Sequence, residues 1–220
     1  MYNIQLKSRK KRLQQFEKEW ILPTECRTPV LKRRIALIEK CSNIPLKSIP
    51  KITHSLHGNS LKQYTPLLKA RKFSHLKPIL KKSFLIDLAN DIEKIHEKGL
   101  VHGDIHPKNI IFTGDQFFLV DFEPIAEYGK NSLRYYCSTP PWIAHEDLKN
   151  KKLSPLTDRI GFMHVAMKVL DIKLHSFNAL KIYRERRKSD YPIGGIICDQ
   201  IVKNIKCTEI INTIWNKHFS

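Results

Sequence analysis

The first 57 residues contain no glycine: all eight glycines of the chain lie at or beyond Gly58. That absence excludes a Gly-rich phosphate loop near the start, because close backbone approach to a phosphate needs residues without a Cβ. Acid is missing as well, with no Asp or Glu from Lys40 to Ile86. The five cysteines (Cys26, Cys41, Cys137, Cys198, Cys207) are odd in number and form no Cys-x-x-Cys pair. They read as reduced structural thiols, not as a zinc or disulfide framework. No apolar run approaches the roughly 18 residues of a membrane span. The N-terminus is basic but has no apolar h-region, so it is not read as a signal peptide. The expectation is a soluble, cytoplasmic protein, at most peripheral to a membrane. There is no Gly-x-Ser-x-Gly, no Walker-type lysine loop, no metal-type histidine pattern and no internal repeat.

What is present is enough apolar material for a core. Of 220 residues 41% are hydrophobic and 27% charged, the balance of one ordinary domain or two small lobes. The net charge of +18 is concentrated at one end. Residues 1–86 hold 20 Lys or Arg and four acids (Glu17, Glu19, Glu25, Glu39), a net of +16, and the rest of the chain is nearly neutral. An acid-free basic stretch of this length favours an anionic partner: an acidic protein, nucleic acid or a membrane surface.

Thr28-Pro29, with apolar residues at 31, 35 and 38, predicts a short helix ending near Cys41. Residues 52–57 and 60–65 flank Gly58-Asn59, a hairpin signal. From Pro78 to His96 apolar residues recur at helical spacing, and Gly99 supplies the stop. Two short β-like runs follow, 109–112 and 116–120. A further helix is expected from an N-cap at Thr157 through Ile160, Met163, Met167 and Leu170, and residues 174–220 read as helical pieces broken at Pro192 and Gly194-Gly195. The class is α+β with a helix-rich C-terminal half.

Between the long helix and the first β run lies Val101-His102-Gly103-Asp104-Ile105-His106-Pro107-Lys108-Asn109, and Asp121 follows in Val120-Asp121-Phe122-Glu123. Asp104, Asn109 and Asp121 thus stand in a loop and at a strand end, with the hard oxygen donors that magnesium accepts. Singly, each would be explained as a turn cap.

Together they resemble the protein kinase superfamily. The resemblance implies that Asp104 is the catalytic-loop aspartate that receives the substrate hydroxyl proton, with Asn109 and Asp121 the metal-binding pair. The His-Gly-Asp wording resembles small-molecule and atypical kinases. Ser138-Thr139-Pro140-Pro141-Trp142-Ile143-Ala144-His145-Glu146, by contrast, is similar to the end of a protein-kinase activation segment and favours a peptide acceptor. The resemblance further implies that Glu146 is a structural ion-pair partner. It also makes Asp158 a buried acceptor that anchors the catalytic loop backbone.

Several positions depart from the pattern. Gly103 replaces an arginine, Glu123 replaces the glycine after Asp-Phe, and His106 stands where a lysine is usual; Lys108 is expected to contact the transferring phosphate instead. Lys7, Lys18 and Lys32 all compete to hold the α- and β-phosphates. Lys18 with Glu39 is preferred, although residues 8–20 equally fit a helix with Leu13, Phe16 and Trp20 on one face. The resemblance covers residues 80–170. It implies a two-lobed fold, with a reduced basic N-lobe over 1–66 and a C-lobe over 67–220, using ATP and Mg2+. The expected activity is a Ser/Thr protein kinase. A kinase of a phosphorylated, anionic glycan such as a lipopolysaccharide core sugar, or of another small molecule, and a pseudokinase-like nucleic-acid-binding module stand as alternatives.

Overall fold

In a computed structural model, the structure describes residues 5–7, 11–12, 15–21, 27–50, 53–57, 60–66, 71–122, 125–129, 144–172 and 204–219. The N-terminal elements are strands β1 (Gln5–Lys7), β2 (Lys11–Arg12) and β3 (Gln15–Ile21), helix α1 (Arg27–Ser42), and strands β4 (Thr53–His57) and β5 (Ser60–Pro66). They form an antiparallel sheet in the order β1-β3-β5-β4, with β2 also paired to β3. The expected hairpin is present as β4 and β5, while its Gly58-Asn59 link lies outside the described residues. Where the sequence left residues 8–20 open between helix and strand, Gln15–Ile21 is a strand. It pairs with β5 along its length and with β1 and β2 on its other edge, and ladder pairing on both sides overrides a helical spacing of Phe16 and Trp20.

The remaining described elements are helix α2 (Pro78–Glu97), strands β6 (Leu100–Val101), β7 (Ile110–Phe112), β8 (Phe117–Leu119) and β9 (Ala126–Glu127), and helices α3 (His145–Asn150), α4 (Pro155–Val169) and α5 (Cys207–Phe219). β7 and β8 form one small hairpin, and β6 pairs with β9. Gly99, just past the Lys98 C-cap of α2, turns the chain with a φ of +70°, a conformation that suits glycine. The N-cap of α4 is Ser154, not Thr157. The Ser154 hydroxyl accepts from Leu156 N–H and Pro155 fills the first helical position, whereas Thr157 donates to Asp147 Oδ2 at 2.6 Å and accepts from Ala144 N–H at 3.0 Å. Of the segment expected to be helical pieces, 173–203 lies outside the described residues and Cys207–Phe219 is helical.

One hydrophobic core joins Leu37, Ile38 and Cys41 of α1 to Leu85, Leu88, Ile92 and Ile95 of α2, the β7–β8 hairpin, α4 and α5. Every residue of α4 from Ile160 to Met167 is buried. Its helical periodicity therefore marks no solvent face, as expected for a helix packed on all sides. The segment after α1 is sewn to the core by backbone: Leu119 N–H donates to Ser48 C=O, Ser48 N–H to the buried Asp91 carboxylate, and Lys94 to Pro45 C=O. Burial pushes the Cys41 thiol up to about 12, and burial together with the charge of Glu93 raises Cys207 well above its usual range, so both stay protonated at neutral pH. Among the described residues no helix is long and apolar enough to cross a membrane.

Candidate active site

The loop between β6 and β7 is built on α4. The buried carboxylate of Asp158 accepts His102 N–H through Oδ2 at 2.7 Å and Gly103 N–H through Oδ1 at 2.8 Å. Gly103 has φ +82°, which lets the chain turn there. One turn along α4, Gly161 lies so close that a Cβ would come within 2.2 Å of the Ile105 carbonyl oxygen. The loop thus rests on α4 by hydrogen bonds at one point and by direct backbone contact at another.

Asp158 is itself held by His96 of α2, whose Nε2 is 2.9 Å from Oδ2. Glu93, one turn earlier on α2, accepts Cys207 N–H at 2.7 Å and lies 3.8 Å from His96 Nδ1 and 3.9 Å from Arg159. Burial disfavours charge on His96, but the hydrogen bonds and charges of Asp158 and Glu93 outweigh it and raise its pKa. Burial alone would raise Asp158, yet His96 and the Gly103 N–H hold it down; Glu93, similarly opposed, falls to about 2. The result is a buried, charge-paired junction of α2, α4 and α5 beneath the loop.

Above it the polar groups converge. Asn109 Nδ2 donates to Asp104 C=O at 2.9 Å and to Asp104 Oδ2 at 3.2 Å. His106 Nε2 lies 3.4 Å from the same carboxylate oxygen, while its Nδ1 accepts Lys108 N–H at 3.1 Å. Val120 N–H donates to Asn109 C=O, which sets Asp121 beside Asn109. Asp121 has φ +72°, a left-handed conformation that aspartate tolerates better than most residues. The His102 ring packs edge-on against Phe122, centroids 4.6 Å apart, and links the loop to the strand end. Burial keeps that imidazole neutral although the charges of Asp158, Asp104 and Asp121 all act on it.

The protein kinase domain model matches residues 5–191 of this chain. The chain belongs to the protein kinase domain family. Over 125 residues, half of this kinase domain, it is 30% identical to the probable serine/threonine-protein kinase FPV226 of fowlpox virus. It is 28% identical over 100 residues to the serine/threonine-protein kinase pkn2 of Myxococcus xanthus. The chain spans 42% and 12% of those two relatives, less than half of either. Among solved structures it is similar to the Cydia pomonella granulovirus kinase PK-1, with a TM-score of 0.57, 17% identity and coverage of 78% of this chain and 69% of that one, a likeness of fold.

The structure brings Asp104, Asn109 and Asp121 of this kinase domain together and sets Lys108 exposed on the 3-10 turn Pro107–Asn109 beside them. Lys18 lies in β3 opposite Gln63 of β5, Lys7 lies in β1, and Lys32 and Glu39 are exposed on α1. Glu146 is exposed in the first turn of α3, and it is the neighbouring Asp147 that is buried, bonded to Ser154 N–H and Thr157. Residues 138–143, including Trp142, and Glu123 lie outside the described residues. Asp158 bonds the loop backbone as the resemblance implied. Sequence reasoning missed His96, Glu93 and Gly161. Only the last left a signal, an isolated glycine inside an apolar helix, which usually has a packing reason.

Proposed function

We propose that this kinase domain transfers the γ-phosphoryl group of ATP to a Ser or Thr hydroxyl of a protein substrate. The observation that carries the reading is the doubly bonded Asp104–Asn109 pair, held on Asp158 with Asp121 alongside. Asp104 orients the acceptor hydroxyl and receives its proton. Asn109 commits Nδ2 to Asp104, so Oδ1 is the amide atom available to a cation; with the Asp121 carboxylate it makes an all-oxygen donor set, which suits Mg2+ completed by phosphate oxygens and water. When bound, Mg2+ supplies charge neutralisation on the phosphates. In this reading Lys108, at the exposed edge of the loop, meets the transferred phosphate, and Lys18 of β3 holds the α- and β-phosphates. The basic N-terminal lobe, 1–66, supplies the nucleotide cover, and the C-lobe, 67–220, the catalytic loop.

The barrier is lowered by positioning and by fixed charge, as the template for phosphoryl transfer requires. The test is transfer of labelled phosphate from ATP with Mg2+ to the chain itself, to a generic protein substrate and to a phosphorylated glycan. Label on protein Ser or Thr that disappears in Asp104→Asn supports the reading. Label confined to glycan overturns the protein substrate, and no label on any acceptor overturns the kinase reaction.

A further inference from the structure

α2 and α5 run antiparallel: Cys207 at the start of α5 bonds Glu93, while Trp215 near its end lies under Lys82, whose Nζ is 4.7 Å from the ring centroid. The first turn of α2 and the last turn of α5 therefore meet at one end of the pair. That end is remote from the catalytic loop, because Ile79 stands 17 residues before His96, about 25 Å along a helix. Three large apolar side chains are exposed there: Ile79 at 58%, Leu80 at 46% and Phe219 at 38%. Phe219 stacks on Trp215 with centroids 4.6 Å apart. Lys82, three residues after Ile79, reaches from α2 to Trp215 of α5, so Ile79 and Phe219 stand at the same end of the helix pair.

Its rim is cationic. Lys77, at the N-cap of α2, is exposed, Lys82 follows, and Lys217 lies in the last turn of α5. Neither helix carries an acid at this end: α2 has none before Asp87, and residues 210–219 of α5 contain none.

We propose that this end of the α2–α5 pair docks the protein on an anionic lipid bilayer. Exposed aliphatic side chains ringed by lysines supply the two components that peripheral binding needs, apolar insertion and attraction to acidic headgroups. A nucleic acid fits the same charge but not the same apolar groups: bases stack on aromatic faces, and here the two most exposed apolar residues, Ile79 and Leu80, are aliphatic, while the Trp215 and Phe219 rings stack on each other with Lys82 over Trp215. The docking face is independent of the reaction at Asp104, and at the far end of α2 it leaves the loop open to substrate.

The experiment is co-sedimentation of the full chain with phosphatidylcholine vesicles, with and without phosphatidylserine. The protein should pellet with the phosphatidylserine vesicles only, and salt should release it. Ile79→Ser with Leu80→Ser should weaken binding about tenfold, and Lys77→Gln and Lys82→Gln about fivefold each. Catalytic rate in solution should match the wild type for every variant, and melting temperature should match for the Ile79, Leu80 and Lys77 changes, whose side chains are exposed, while Lys82, half-buried over Trp215, is read against its own melt. If the serine variant melts early, the glutamine variants decide. Undiminished binding of both sets to phosphatidylserine vesicles overturns the proposal by placing the contact elsewhere on the basic chain. Retention on RNA or on an acidic peptide without vesicle binding overturns it in favour of that partner.

Discussion

Asp158 accepts the backbone N–H of Gly103 at 2.8 Å across 55 residues of sequence, one of the contacts that tie the loop after β6 to α4, whose residues from Ile160 to Met167 are all buried. A carboxylate so placed serves two backbone donors and a histidine at once. Removing it strands all three in a dry site.

Asp158→Ala should therefore cost about 3–5 kcal/mol, the usual penalty for breaking a buried charge pair. For a chain of this size that lowers the melting temperature by roughly 10 °C. Calorimetry measures it. A loss under about 1 kcal/mol would mean that the loop has another support.

Gly161→Ala adds one methyl group against the Ile105 carbonyl, where a Cβ would lie at 2.2 Å. Backbone cannot yield as a flexible side chain does. We expect about 1–3 kcal/mol of destabilisation, together with a fall in kcat, because Ile105 adjoins Asp104. An alanine variant with wild-type rate and stability would show that the two segments separate readily.

Asp104→Asn keeps the shape of the side chain but cannot receive a proton. Phosphoryl transfer should fall about 10²–10⁴-fold, with a melting temperature near that of the wild type. A steady-state assay beside a thermal melt separates the two effects.

The buried junction gives stability a bounded pH range. His96 has a raised folded-state pKa, so its contribution is complete below its ordinary value of 6.5 and fades as the pH climbs through the folded value. Glu93 runs the other way: held down to about 2 from 4.5, its contribution is complete above 4.5 and is lost as the pH falls toward 2. Asp158, also lowered, adds to the acid side. Urea midpoints against pH should fall on both flanks. His96→Gln should flatten the alkaline flank and lower the plateau; an unchanged alkaline flank would remove His96 from this role.

Thr157→Val tests the brace beneath the end of the activation-type segment. The hydroxyl is buried and bonded to both Asp147 and the Ala144 N–H, so about 1–3 kcal/mol should be lost. Hydrogen exchange should show faster opening of α3.

Local spacing determined much of this protein. Helices α1 and α2 and the β4–β5 hairpin were legible because apolar period, Pro near a helix start and a Gly-Asn link are short-range signals. The Asp104, Asn109 and Asp121 triad was legible for a similar reason: its members sit at close, recognisable intervals. Residues 15–21 were not, because their partners lie about 45 residues away in β5 and helical and strand spacings both fitted. The same limit explains Thr157, which looks like a helix cap until Asp147 is brought to it. His96, Glu93 and Gly161 have ordinary surroundings in the sequence, and acquire their roles only when α2, α4 and α5 pack. The candidate site residues lie in one loop and at one strand end. What holds that loop in place was decided by tertiary packing, because burial and long-range hydrogen bonds leave no periodic trace in a single chain.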